Sequence, residues 1–233
     1  MARQRLPRTR LQHVGLLVCL TVALNACENR RAAQPNTEQS HDPDNARQSD
    51  SDCIELGTFE LESGELIVSD PCYHSDSELS SLHGRLSHAK NGRWQARVKK
   101  AVAGDWGNRC IELIINHETS YADISSWNKT EALIGVDSGQ TGFFDVQHFG
   151  ESADVPKGFE AEKDLIDPTD LWYSLCCRQT LSELGAGVVP FGVVSSSGLG
   201  DGGYELYSHE VNGKTVAARL VFISNEELRE LQE

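Results

Sequence analysis

Four carboxylates and one imidazole stand where this chain could do chemistry. Asp70 precedes Pro71 at the end of "SGELIVSDPCY". Asp137 lies in "GVDSGQ". Asp145 closes "TGFFD", three residues before His148, and Asp201 sits inside "SSSGLGDGGYELY". Each carboxylate is at a strand end or in a Gly-rich turn. Carboxylates carried on irregular backbone suit a hard cation such as Ca2+, which takes roughly six to eight oxygens, carbonyls included. Gly139, Gly200 and Gly202 would let main-chain groups converge on it. Asp in a Gly turn also caps its own backbone, which is its ordinary role, and a carboxylate can serve acid–base chemistry. Asp70, Asp137, Asp145, His148 and Asp201 are therefore the candidate ligand or metal residues. No cofactor is the first expectation and calcium the alternative.

The Ser/Gly stretch around Asp201 supplies a candidate loop, Ser197, Gly198, Gly200 and Gly202. A phosphate cradle gains from a following helix N-terminus, and here a strand-like "YELY" follows. A nucleophilic serine needs a histidine base and an orienting acid. His148 and Asp145 are available, but Ser195–Ser197 lack the Gly-x-Ser-x-Gly elbow. Five Cys lie beyond residue 52: Cys53, Cys72, Cys110, Cys176 and Cys177. No Cys-x-x-Cys occurs, so a zinc ribbon or thioredoxin-like motif is not expected. Cys72 beside His74 is a candidate nucleophile. An exported domain permits disulfides. Cys110 with Cys177 is the candidate pair, Cys176 the alternative partner, and buried free thiols the other outcome.

The elements that must position these residues are mostly strands. "TFELESGELIVSD" gives two runs around Glu62-Ser63-Gly64, a hairpin signal. "GRWQARVKKAVAG" alternates, with Trp94, Ala96 and Val98 on one side. "CIELIINH" and "EALIGVD" are further strands. "YELYSHEVNGKTVAARLVFI" is a hairpin, because Asn212-Gly213 favours a type I′ turn. "DPTDLWYSLCCRQTLSEL" reads as a helix with Pro168 in its first turn and Leu171, Leu175 and Leu181 or Leu184 near helical spacing. "SNEELRELQE" closes the chain as a short helix capped by Ser224 or Asn225. The fold class expected is mainly β, an antiparallel sheet or sandwich with one or two short helices, in a single domain over 53–233.

What precedes that domain reads as address and tether. "MARQRLPRTRLQH" carries four Arg and no acid. The apolar run Val14 to Leu24 is too short to span a bilayer core of about 30 Å as a helix. This is the pattern of a signal peptide over 1–26. It ends in Leu24-Asn25-Ala26-Cys27, which resembles the bacterial lipoprotein cleavage box. The resemblance implies cleavage before Cys27 and lipid on its thiol, anchoring the chain to a membrane. Glu28 rather than Asp follows, which implies outer-membrane sorting if the host has an outer membrane. Residues 27–52 contain no aromatic residue and no Val, Ile or Leu, so a disordered tether is expected. The formal net charge is −14. Such an acidic chain disfavours nucleic acid as a partner, because phosphate neutralisation needs clustered Lys and Arg.

Three stretches together, "SGELIVSDPCY", "GVDSGQTGFFD" and "SSSGLGDGGYELY…NGKTVAARLVF", resemble a widespread bacterial and phage domain family of unknown function. That resemblance implies one mainly β domain with the three loops close together, and no reaction. Two functions remain. The first is an envelope lipoprotein with a non-catalytic domain that binds an envelope protein or polymer. The alternative is a metal-dependent hydrolase using Asp137, Asp145, His148 and Asp201. Catalytic residues are otherwise unassigned.

Overall fold

The computed structural model describes residues 53–73, 80–120, 124, 126–161 and 169–233. The signal segment, Cys27, the tether, His74 and Pro168 lie outside the described residues.

Side-chain alternation turns the expected runs into strands, because successive residues point to opposite faces. In β4 (Gly92–Val102), Trp94, Ala96 and Val98 are fully buried while Arg93 is exposed. Six strands form one sheet in the order β1 (Cys53–Leu61), β4, β5 (Asn108–His117), β11 (Lys214–Val221), β10 (Gly202–Val211) and β6 (Asn128–Val136). A second sheet runs β3 (Gly84–Ser87), β2 (Glu65–Ser69), β7 (Gln140–Asp145), β9 (Gly192–Ser196) and β8 (Ala186–Val189). Every ladder in both sheets is antiparallel. Among the described residues the fold is therefore mainly β, two packed antiparallel sheets with two short α-helices.

The sheets share one core. Trp94, Leu113 and Ile115 from the first sheet meet Leu66, Phe143 and Val193 from the second. The outer face of the second sheet is also covered. Ile67, Phe144 and Val194 lie under Trp172, Leu175 and Cys176 of α1 (Leu171–Thr180), together with Phe149. Burial on both faces explains why all six residues of β7 are buried without alternation, with Phe143 in the shared core and Phe144 under α1. It also explains Gly142, where a Cβ would lie 2.1 Å from the Val193 carbonyl oxygen.

The terminal hairpin is as expected: Asn212 and Gly213 both have positive φ, 52° and 72°, between the paired β10 and β11. Helix α2 (Asn225–Gln232) starts at Ser224, whose hydroxyl accepts from Glu227 N while the Glu227 carboxylate accepts from Ser224 N, a reciprocal capping box.

Three expectations are corrected. The first concerns Glu62-Ser63-Gly64, which is not a hairpin. β1 pairs with β4, and β2 pairs with β3 and β7. The chain crosses from one sheet to the other there, held by the Asp145 carboxylate and by the Asn91 amide on Glu62 O. The second concerns the α1 helix, which stops at Thr180. Leu181 is 78% and Leu184 40% exposed, because a turn closed by Gly185 N to Ser182 O feeds the chain into β8.

The third correction is the disulfide. None of the five described cysteines forms a disulfide. Cys110 Sγ is directed at the carbonyls of Leu184 and Gly185, at 3.6 and 3.8 Å. Cys177 Sγ instead accepts from Gln140 Nε2 at 3.3 Å, and Cys176 belongs to the cluster on the outer face of the second sheet. Neither helix thiol shares a site with Cys110.

Candidate functional site

The five candidate residues do not gather into one cluster. Asp70 ends β2, fully buried. Its Oδ2 accepts from the main-chain N–H of Asp137 at 2.9 Å and of Ser138 at 2.7 Å. Its Oδ1 accepts from Cys72 N at 2.8 Å and from the Ser138 hydroxyl at 2.6 Å. Four donors fill the acceptor sites of a carboxylate. Ser69 backs this arrangement. Its hydroxyl donates to Asp70 O, so His83 Nδ1–H, 2.6 Å away, donates to the Ser69 oxygen. Burial lowers the His83 pKa and favours this neutral ring.

Asp145 repeats the device at the end of β7, also fully buried. Oδ2 accepts from Glu62 N at 2.6 Å and Ser63 N at 2.9 Å, and Oδ1 from Gln147 N at 2.9 Å. Burial pushes its pKa up, but the N–H donors of Ser63, Gln147 and Glu62 outweigh that and hold it below the usual carboxylate range. Asp70 ties β2 to the loop after β6. Asp145 ties β7 to the corner between β1 and β2. Both are clamps between segments far apart in sequence.

His148 does not pair with Asp145. Its Nδ1 lies 2.7 Å from Asp154 Oδ2 and its Nε2 3.8 Å from Glu62 Oε2. The ring stacks on Phe191, with centroids 3.6 Å apart and planes 11° apart. Asp154 was not visible as its partner in the sequence, since nothing local marks a contact six residues away across a loop. The surroundings of Cys72 disfavour its thiolate. Burial, then the charge of Asp70, pushes its thiol up to about 12, leaving almost no thiolate near neutrality.

The three motif loops do meet. Asp70 holds the backbone of Asp137 and Ser138, Ser197 N donates to Gly139 O, and Gly202 stands opposite Val136. Their carboxylates do not converge. Asp137 and Asp201 are exposed, whereas Asp70 is buried and saturated. Among the described residues, no group of three or more His, Cys, Asp or Glu could hold a metal ion.

Ser197 and Tyr204, rather than Asp201, shape the Gly loop. The Ser197 hydroxyl donates to Gly200 O at 2.7 Å, and Gly200 N returns to Ser197 O. The Tyr204 hydroxyl is shared between Ser197 O and Gly200 O, at 2.7 and 2.5 Å. Leu199 and Asp201 face outward and, with α2, line a groove of about 360 Å3. Sequence reasoning missed this groove. The available signal was Leu199, an apolar residue in an otherwise Ser/Gly turn.

Comparisons with protein-family models, with curated proteins and with solved structures found no match.

Proposed function

We propose that this chain is a bacterial envelope lipoprotein whose domain over 53–233 binds rather than catalyses. In this reading, lipid on Cys27 anchors it to a membrane, the outer one where the host has two, and residues 27–52 tether the domain to that surface. The domain falls in the bacterial and phage family that its three motifs resemble. Its partner is an envelope protein or polymer and not nucleic acid, consistent with the net charge of −14.

One observation carries the non-catalytic reading. The Asp70 and Asp145 carboxylates are both fully buried and turned to donors of the protein itself: Asp70 accepts from three backbone N–H groups and a hydroxyl, Asp145 from three backbone N–H groups. A catalytic or metal-binding carboxylate needs a free lone pair facing its reactant. The test is an assay of the purified full chain for ester, phosphoester, peptide and glycoside hydrolysis, with and without Ca2+. No turnover is expected. Turnover that disappears in Asp145→Asn while the fold is kept would replace this reading with the metal-dependent hydrolase. A Cys27→Ser variant checks the anchor: it should lose fatty-acid labelling, and unchanged labelling would remove the lipoprotein reading.

A further inference from the structure

The groove beside α2 has two parts with different chemistry. Its apolar lining is Leu199, Tyr204, Phe222, Ile223 and Leu231. Its rim is acidic: Asp201 comes from the Gly loop, Glu227 and Glu230 from α2. Among the described residues, no Lys, Arg or His lines it. Glu227 is already engaged by the capping box, so Asp201 and Glu230 are the rim carboxylates with no such partner among the described residues. Both are exposed, and Leu199 is 42% exposed.

The loop separates support from presentation. Ser197, Gly200 and Tyr204 hold one another through the hydrogen bonds given above. Leu199 and Asp201 contribute nothing to that network among the bonds described. The turn thus brings a part-exposed leucine and an exposed aspartate together with the apolar residues of the groove.

From this we infer that the groove docks a protein segment in which a Lys or Arg stands next to an aliphatic residue. Charge complementarity selects this occupant. The aliphatic side chain covers Leu199, Phe222 and Leu231. The long stem of Lys or Arg also lies on apolar surface while its charged head reaches Asp201 and Glu230. The volume falls within the range of small binding sites, roughly 300–1,000 Å3. An anionic polymer or a lipid phosphate would be repelled by the same rim. The inference rests on the binding-domain reading and names the chemistry of its partner.

The experiment titrates the full chain, in neutral detergent, with a capped Lys-Leu-Lys peptide and with its Glu-Leu-Glu counterpart, followed by calorimetry. The basic peptide should bind and the acidic one should not. Asp201→Lys with Glu230→Lys should weaken binding about tenfold or more. Glu118→Lys with Glu210→Lys makes the same charge change at exposed positions outside the groove and should leave affinity within about twofold. Leu199→Ser should also weaken binding, which a purely electrostatic attraction would not show. Absence of binding, or equal weakening by both double variants, overturns the groove assignment. Asp201→Asn with Glu230→Gln keeps side-chain size and serves if the Lys variants do not fold. These outcomes leave the binding-domain reading standing. Turnover in the hydrolysis assay would remove that reading without altering this titration.

Discussion

Asp145 and Asp201 are the same residue type at the edges of strands, close to glycine, and they end in opposite circumstances. Asp145 is fully buried and accepts three backbone N–H groups, two of them from residues 82 and 83 positions away. Asp201 is exposed, and its loop is shaped by Ser197 and Tyr204 instead. What separates them is which distant segment brings donors. A buried carboxylate is tolerated when charge-assisted hydrogen bonds replace its water. An exposed one needs no such partners and is free to meet a ligand. Carboxylate clustering in sequence therefore says little about chemistry until the donors are known.

The largest effect expected from this contrast is kinetic. Cys72 sits under Asp70 with its thiol pushed up to about 12 from 9.0. Near pH 8, its alkylation in the folded chain should be about a thousandfold slower than in the urea-unfolded chain, since the thiolate is the nucleophile. Comparable rates would show that Cys72 is not held against the Asp70 carboxylate as described. Next come the clamps. Asp70→Ala or Asp145→Ala leaves several N–H donors without their acceptor, and each lost bond to a charged group matters by about 1.5–3 kcal/mol. With partial rescue by water, the net loss is roughly 3 kcal/mol in urea unfolding. A loss no larger than that of Asp201→Ala would erase the distinction between the two carboxylates.

Acidification sharpens the same point. The folded pKa of Asp145 is depressed, so the stability it contributes is present above the unfolded value of about 4 and disappears as pH falls through the lower folded value. Unfolding free energy measured from pH 6 to pH 2 should therefore fall less steeply for Asp145→Asn than for the wild type. Parallel curves would mean that the N–H donors do not favour the charged form. The smallest effect is expected at the groove. Leu199→Ser and Asp201→Ala should each change stability by no more than about 0.5 kcal/mol, as surface positions usually do. A larger loss would make the loop a folding element rather than a presented surface.

Much of the fold was legible in the sequence. Alternation around Trp94, Ala96 and Val98, the Asn212-Gly213 turn and the Ser224 cap follow from local rules and stand in the structure. The corner at Glu62-Ser63-Gly64 was not legible. It looks like a hairpin locally, and only Asp145 and Asn91, supplied from elsewhere, turn it between sheets. The end of α1 was misjudged because leucine spacing continued to Leu184 after the helix had stopped. For the candidate site, Asp70 and Asp145 were identifiable as residues of consequence, but not as clamps. Their donors come from segments many residues away. The groove was hidden for the same reason, since its two walls lie in separate segments, the loop before β10 and α2.

The most direct measurement of the central claim is thermal unfolding of the full chain with chelator and with millimolar Ca2+, alongside metal analysis of the purified protein. If Asp70 and Asp145 are buried clamps held by the protein's own N–H and O–H donors, the protein carries no stoichiometric metal and its midpoint is the same in both conditions. A Ca2+-dependent rise of the midpoint that vanishes in Asp145→Asn would contradict the account, because ligand binding to the folded state alone produces such a rise.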